Sequence, residues 1–166
     1  MCCISAYQYR VSGDVRGEHR KSMPLSPEKC SMAEHLCSLS ELDEGDLWLF
    51  TVREADGSEE EVVLVRTDDC VRAWLNYCQH ETDQRLDRGF GAAMRDGEIV
   101  CPKHGSMYDA CSGYCDNGKA AESTLVSVDV ETRDGDVVLT DDDRTFLHEG
   151  AIEADDLPGS SSHLTF

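Results

Sequence analysis

Positive charge is scarce in this sequence: Lys and Arg total 15 against 34 Asp and Glu, a formal net charge of −19 over 166 residues. A nucleic-acid binder needs a basic face to neutralise phosphates, and docking on anionic lipid draws on Lys and Arg, so both partner classes are disfavoured. Long apolar runs are missing too. Nothing approaches the ~20 residues of a spanning helix, and the polar N-terminus lacks the apolar stretch of a signal peptide. The expectation is a soluble, cytoplasmic protein of one domain, with no nucleic acid and no membrane as partner. Aromatics are few, two Trp, five Tyr and four Phe, which suffices for a modest core.

Among the basic residues lysine is the rarer, four against eleven arginines. A field this negative opposes compaction unless salt screens it, and molar salt shrinks the Debye length to ~3 Å. The acids are spread along the chain rather than bunched. An acidic, Lys-poor surface of this kind suits a salt-loaded cytoplasm better than a single basic partner.

Cysteine, by contrast, is plentiful: nine, at positions 2, 3, 30, 37, 70, 78, 101, 111 and 115. An odd number without a secretion signal makes a poor disulfide framework. Metal ligation by a few and burial of the rest is the economical reading. Cys70, Cys111 and Cys115 are expected to be small buried or idle thiols. Cys111-x₃-Cys115 is open to a redox role only if geometry and compartment allow a disulfide.

Charge also divides the chain. Residues 1–37 carry five basic and four acidic side chains, whereas 38–166 carry ten and thirty. The first 37 residues therefore read as a flexible extension, with a short helix near Ser26–Leu36, or as the result of a start at Met23 or Met32 rather than Met1. Residues 144–166 read as a flexible tail, with Leu157-Pro158-Gly159 and three serines after it. His19, His35, His148 and His163 fall in these two segments and are assigned no role.

Between them, residues 38–143 read as an all-β domain. Leu47–Val52 and Glu61–Arg66 flank Asp56-Gly57, a run from Cys70 to Tyr77 follows, Ile99-Val100 comes after Asp96-Gly97, and Asp134-Gly135 joins Leu125–Val130 to Val137–Leu139. Asp-Gly between apolar runs is a strong hairpin signal, because both central residues of the tight turn need positive φ. Trp48 and Trp74 fall at strand positions and are expected in the core.

Chemistry concentrates at Cys78-Gln79-His80 and Cys101-Pro102-Lys103-His104. Two Cys/His pairs twenty-odd residues apart in strand-to-loop positions are hard to obtain by accident. Cys₂His₂ suits tetrahedral zinc, so a zinc-stabilised binding module is one reading. Zinc fingers, however, separate their cysteines and histidines into different knuckles. Here each loop supplies one of each, which suits a binuclear centre with both thiolates on one metal and both imidazoles on the other.

These loops, with the string Cys101-Pro102-Lys103-His104-Gly105-Ser106-Met107-Tyr108-Asp109, resemble the Rieske [2Fe–2S] proteins from about Leu39 to Thr140. The resemblance implies a Rieske-like antiparallel β-sandwich with a small inserted cluster-binding subdomain, about residues 76–117. It implies one [2Fe–2S] cluster per chain, with Cys78 and Cys101 on the inner iron and His80 and His104 on the outer. It also implies Ser106 and Tyr108 as hydrogen-bond donors to sulfur: Ser106 to a bridging sulfide, Tyr108 to the Cys78 thiolate. Replacing two thiolates by neutral imidazoles raises the potential to ≈ −150 to +300 mV, against ≈ −400 mV for all-Cys plant-type clusters.

Two departures stand out. Quinol-oxidising members join their loops by a disulfide, at positions that here hold Asp83 and Lys103. The third loop, usually Gly-Pro-small, is Gly118-Lys119-Ala120. The functional expectation is an electron-transfer component rather than a stand-alone catalyst: a ferredoxin-like one-electron carrier between a reductase and a terminal oxidoreductase. A small regulatory or assembly subunit of a larger reductase, with a structural or sensory cluster, is the alternative.

Overall fold

The computed structural model describes residues 33–152. Among these residues thirteen strands form three antiparallel sheets, with two short 3₁₀ turns in the connections. The central sheet contains β2 (Leu47–Glu54), β3 (Glu59–Arg66), β4 (Val71–Leu75), β10 (Ser127–Val128) and β13 (Arg144–Glu149), in the order β10-β4-β3-β2-β13. A second sheet has β12 (Asp136–Leu139) between β1 (Glu34–Ser38) and β11 (Val130–Arg133). The third is a meander of short strands: β5 (Ala93–Arg95), β6 (Glu98–Val100), β7 (Met107–Asp109), β8 (Tyr114–Cys115) and β9 (Ser123–Thr124).

The unbroken apolar run Val62-Val63-Leu64-Val65 explains the layering. All four side chains are fully buried, which a strand needs only when both of its faces are covered. Val62 and Leu64 face one core with Phe50, Val52, Ala73, Leu75, Val137 and Leu139. Val63 and Val65 face the other, with Leu49, Trp74, Leu86, Ile99, Tyr108 and the cysteines Cys78, Cys101 and Cys115. The central sheet is thus sandwiched between the three-stranded sheet and the meander. Burying each such Val or Leu side chain favours folding by about 1.5–3 kcal/mol.

Two of the three Asp-Gly turns follow the expected geometry. Asp96-Gly97 and Asp134-Gly135 have φ of 52° and 82°, and 53° and 92°, and join Arg95↔Glu98 and Arg133↔Asp136 directly. Asp56-Gly57 does not. Its hairpin closes at Arg53↔Glu59, and only Gly57 has positive φ. There Asp56 Oδ1 accepts the Ser58 amide at 2.9 Å and its hydroxyl at 2.6 Å, bonds that hold its carboxyl below the usual range. The carboxylate, rather than a left-handed Asp, shapes this longer turn.

Both expected boundaries shift outwards. β1 begins four residues before position 38 and pairs with β12, burying Leu36 and Cys37. β13 occupies 144–149 and pairs with β2 from Arg144↔Glu54 to Glu149↔Phe50. Charge masked both: Glu34, Arg144 and Glu149 look unsuited to a core, yet they bond along the sheet edges. Glu34 accepts the Phe146 amide at 2.7 Å, and Arg144 bridges Glu54 and Asp141, each at 2.7 Å. His35 and His148 consequently sit in strands of the folded unit, not in extensions. The last residues of the helix expected at 26–36 open β1 instead, and its earlier part lies outside the described residues, as does the tail beyond Ile152.

Candidate metal centre

The first loop leaves β4 at Asn76, whose side chain is buried and fully engaged. Its Nδ2 donates to Glu61 Oε2 at 2.9 Å and to Asp87 O at 2.7 Å, while its Oδ1 accepts the Asp87 amide at 2.8 Å. Glu61, itself 5% exposed, is balanced by Arg85 Nε at 3.0 Å. The loop is thereby tied at both ends to β3. Between the ties Cys78 donates its amide to Gln84 O and Gln84 returns to Glu81 O, curling residues 78–84 into a compact turn. Asn76→Leu strands two buried partners and should destabilise the fold by about 1–3 kcal/mol, read by chemical denaturation.

The second loop leaves β6. Cys101 bonds Ser106 O through its amide and accepts the Gly105 amide, a closed turn of six residues. The two loops converge. The Cys78 and Cys101 side chains lie in the core, 2% and 1% exposed, while His80 and His104 are exposed with ring centroids 5.1 Å apart and planes at 88°. Sulfur is therefore buried beneath imidazole at the surface.

Tyr108, fully buried on β7, places its hydroxyl 3.2 Å from Cys78 Sγ and accepts the Gln79 amide at 3.0 Å. With the oxygen serving as acceptor, its proton is free for the sulfur. Burial raises the Cys78 thiol, but hydrogen bonds from Tyr108, the His80 and Glu81 amides and Cys101 outweigh it, so the net shift is downward. Cys101 moves up, through burial and then its neighbour Cys78. One site therefore favours thiolate sulfur, the ligand form. Slight desolvation and the Lys119 ammonium lower the His104 imidazolium, favouring the neutral ring that binds metal.

The third loop, a 3₁₀ turn at Gly118–Ala120, hangs on Ser106. The Ala120 amide donates to Ser106 Oγ at 3.2 Å, and a Cβ on Gly118, at φ +67°, would come within 2.6 Å of that oxygen. Ser106 thus supports the cover as an acceptor, with its own hydroxyl proton left for a sulfur partner. Where quinol-oxidising relatives carry a covalent bridge, Lys103 forms an ion pair with Glu81 across the two loops. Solvent screens an exposed ion pair, so this clasp is the weaker device.

One cysteine expectation is overturned. Cys70 and Cys111 are joined by a disulfide, with Cα atoms 5.8 Å apart and a sequence separation of 41, so neither is an idle thiol and Cys111 is not paired with Cys115. Cys115 is a free, buried thiol donating to Asn117 O at 3.1 Å. The bond joins the β3–β4 turn to the β7–β8 turn, where Trp74 Nε1 donates to Ala110 O at 3.0 Å and Arg72 Nε to Cys111 O at 3.3 Å. Sequence spacing gives no hint of such a contact, since the two turns meet only through the packing of the meander on the central sheet.

The Rieske [2Fe-2S] domain model matches residues 33–140. The chain belongs to the Rieske [2Fe–2S] family. Among solved structures, the ferredoxin of carbazole 1,9a-dioxygenase from Nocardioides aromaticivorans IC177 superposes with a TM-score of 0.52 at 24% identity, covering 67% of this chain and 99% of that one. A complex of reduced oxygenase and oxidised ferredoxin in carbazole 1,9a-dioxygenase gives 0.52 at 20% identity, covering 69% and 97%. At these identities the likeness is one of fold. No curated protein matches the sequence.

The Rieske cofactor is a [2Fe–2S] cluster, and the donor set fits it. Two thiols and two imidazoles come from loops that also bring an unpartnered donor: Gln79 Nε2, between Cys78 and His80, is buried without a hydrogen-bond acceptor among the described residues. Sulfide and thiolate sulfur are acceptors of the kind such a donor lacks. His80, Glu81 and His104 also bring potential ligand atoms within 4.8 Å of one another, but Glu81 is engaged by Lys103.

Proposed function

We propose that this Rieske protein is a soluble, cytoplasmic one-electron carrier, passing electrons from a reductase to a terminal oxidoreductase, with Cys78, Cys101, His80 and His104 as the four cluster ligands. The observation that carries the reading is the depth difference within the donor set: sulfur buried, imidazole at the surface. Bound there, the cluster supplies reversible one-electron chemistry at a potential raised by its neutral ligands. His80 and His104 present their edges to solvent, so a partner docking on this end shortens the electron path to one ring. Cys78 and Cys101 sit against Ile99, Tyr108 and Leu86, which keep water from the sulfurs. The second similar structure is a complex of reduced oxygenase and oxidised ferredoxin, an arrangement that this exposed imidazole end would suit.

The experiment is anaerobic titration of the purified holoprotein. A rhombic signal appearing on one-electron reduction, with electrons then delivered to a Rieske oxygenase faster than to free dye, supports the carrier. A stable reduced state that no protein partner can oxidise points to a sensory or structural cluster instead.

Tyr108 tunes the potential through its bond to Cys78. A hydrogen bond to a charged group is worth about 1.5 kcal/mol and strengthens as the centre gains negative charge. Tyr108→Phe should therefore lower the midpoint by up to ~60 mV, since 59 mV is tenfold for one electron. Protein-film voltammetry measures it; an unchanged midpoint would mean that the hydroxyl does not serve Cys78.

The acidic surface supports a second element of the proposal, adaptation to a salt-loaded cytoplasm. With a net charge of −19, self-repulsion falls as the Debye length drops from ~10 Å at 0.1 M to ~3 Å at 1 M. The melting temperature should rise from dilute buffer to molar potassium chloride. A fall would contradict salt adaptation.

A further inference from the structure

The four free cysteines among the described residues are all buried, whereas Cys70 and Cys111 are both partly exposed. Cys70 lines an open cleft of about 310 Å³ together with Glu44, Arg66, Thr67, Asp68 and Asp69. Thr67 Oγ1 lies 3.3 Å from Cys70 Sγ and 3.4 Å from Cys111 Sγ, next to both sulfurs of the bond. The arrangement brings an open cleft and a hydroxyl together at the disulfide.

We propose that Cys70–Cys111 is a second redox site of this protein, a two-electron thiol–disulfide couple that solvent dithiols open through the Glu44–Cys70 cleft and whose opening loosens the cluster-holding meander. A reductant thiolate attacks Cys70 Sγ, a sulfur–sulfur bond forms to the reductant, and the Cys70–Cys111 bond breaks. Cys111 leaves as thiolate, and the Thr67 hydroxyl donates a hydrogen bond to it. The reductant's second thiol then displaces Cys70. The balance is one dithiol oxidised to its disulfide, one protein disulfide reduced to two thiols, with both protons ending on Cys70 and Cys111. An oxidised dithiol runs the exchange backwards.

The cleft also selects its reagent. Glu44, Asp68 and Asp69 outnumber Arg66, whose Nη1 is committed to Leu39 O at 2.8 Å and Leu42 O at 3.1 Å. An anionic thiol is repelled from this mouth, a cationic one drawn in, and molar salt erases the difference. Opening matters for the centre because the bond spans the meander and the central sheet. Cut there, the β7–β8 turn is left with the Trp74 and Arg72 hydrogen bonds as its ties to β4 among the described residues.

The test uses the full-length holoprotein, purified in air and then held without oxygen. Cysteamine, 2-mercaptoethanol and 3-mercaptopropionate offer one thiol frame with positive, neutral and negative charge, and dithiothreitol serves as the dithiol. Alkylation followed by peptide-resolved mass spectrometry reads Cys70 and Cys111 separately from Cys78 and Cys101. The expected result is opening in the native state. Corrected for thiolate concentration, the rate falls about tenfold from the cation to the anion in dilute buffer and levels in molar potassium chloride. Thr67→Val slows opening, and Thr67→Ser restores it. Cys70→Ser and Cys111→Ser, tested without any thiol present, release iron to a chelator several-fold faster than the parent protein. If the bond opens only in denaturant, it is a sealed staple and the redox site is refuted. Opening with unchanged iron release in both serine variants refutes the coupling to the cluster. Neither result touches the carrier function, which rests on the reduced-state signal and electron delivery.

Discussion

Cys78→Ala, Cys101→Ala, His80→Ala and His104→Ala should each purify without a stable cluster, while Cys115→Ala keeps its full iron content. On the proposed ligand set, each of the four would remove one protein bond to iron, and a [2Fe–2S] cluster held by three side chains is open to hydrolysis and chelation. The four differ in what they do to the protein without iron. His80 and His104 are exposed, so their loss should leave the melting of the apoprotein close to that of the parent. Cys78 is buried and bonded to Tyr108, so Cys78→Ala leaves the phenol hydroxyl short of a partner, at a cost of about 1–3 kcal/mol. Iron analysis paired with thermal melting of the apo forms separates ligand from scaffold. Retention of two irons per chain in any of the four variants removes that residue from the ligand set. Loss from Cys115→Ala would place Cys115 among the ligands.

Chemistry and core were legible in the sequence to different depths. Cys78-x-His80 and Cys101-x₂-His104 stood out because each short loop carries one cysteine and one histidine, a pairing hard to obtain twice by accident. The Val62–Val65 run marked a strand, but only the structure shows that it is covered on both faces. Local sequence cannot tell which layers will stack. The same limit hid the Cys70–Cys111 bond, whose partners belong to turns on different sheets, and the buried Glu61–Asn76 pair with Arg85 at its rim, which looks like ordinary surface polarity until β3 and the first loop meet. β1 and β13 were missed because charged residues at sheet edges mimic the composition of a tail. At Asp56-Gly57 the dipeptide signal was right about the hairpin and wrong about the turn, since the Asp56 carboxylate bonds Ser58 and keeps φ negative at Asp56.

Gly113→Ala should be among the most damaging single substitutions away from the ligands. Gly113 lies in the β7–β8 turn at φ +72°, and an added Cβ would come 2.8 Å from Cη2 and Cζ3 of Trp74. That ring cannot swing aside freely. It is 4% exposed, packed in the core that holds Cys78 and Cys101, and anchored through Nε1 to Ala110 O at 3.0 Å. Backbone strain for a side chain in the left-handed region adds about 1–2 kcal/mol, and overpacking a filled core adds about 1–3 kcal/mol. A total of about 2–5 kcal/mol should lower the melting temperature by on the order of 10 °C for a unit of this size. Gly45→Ala is the control: φ there is +83°, but nothing lies within 4 Å of the added methyl, so it carries the backbone cost alone. The difference between the two variants isolates the clash with Trp74. Trp74→Leu placed on top of Gly113→Ala makes room for the methyl, so the pair should be less damaging than the sum of the single changes. Strict additivity in that double-mutant cycle, or equal melting of Gly113→Ala and Gly45→Ala, would mean that the ring does not press on Gly113 and that the meander is seated by other contacts.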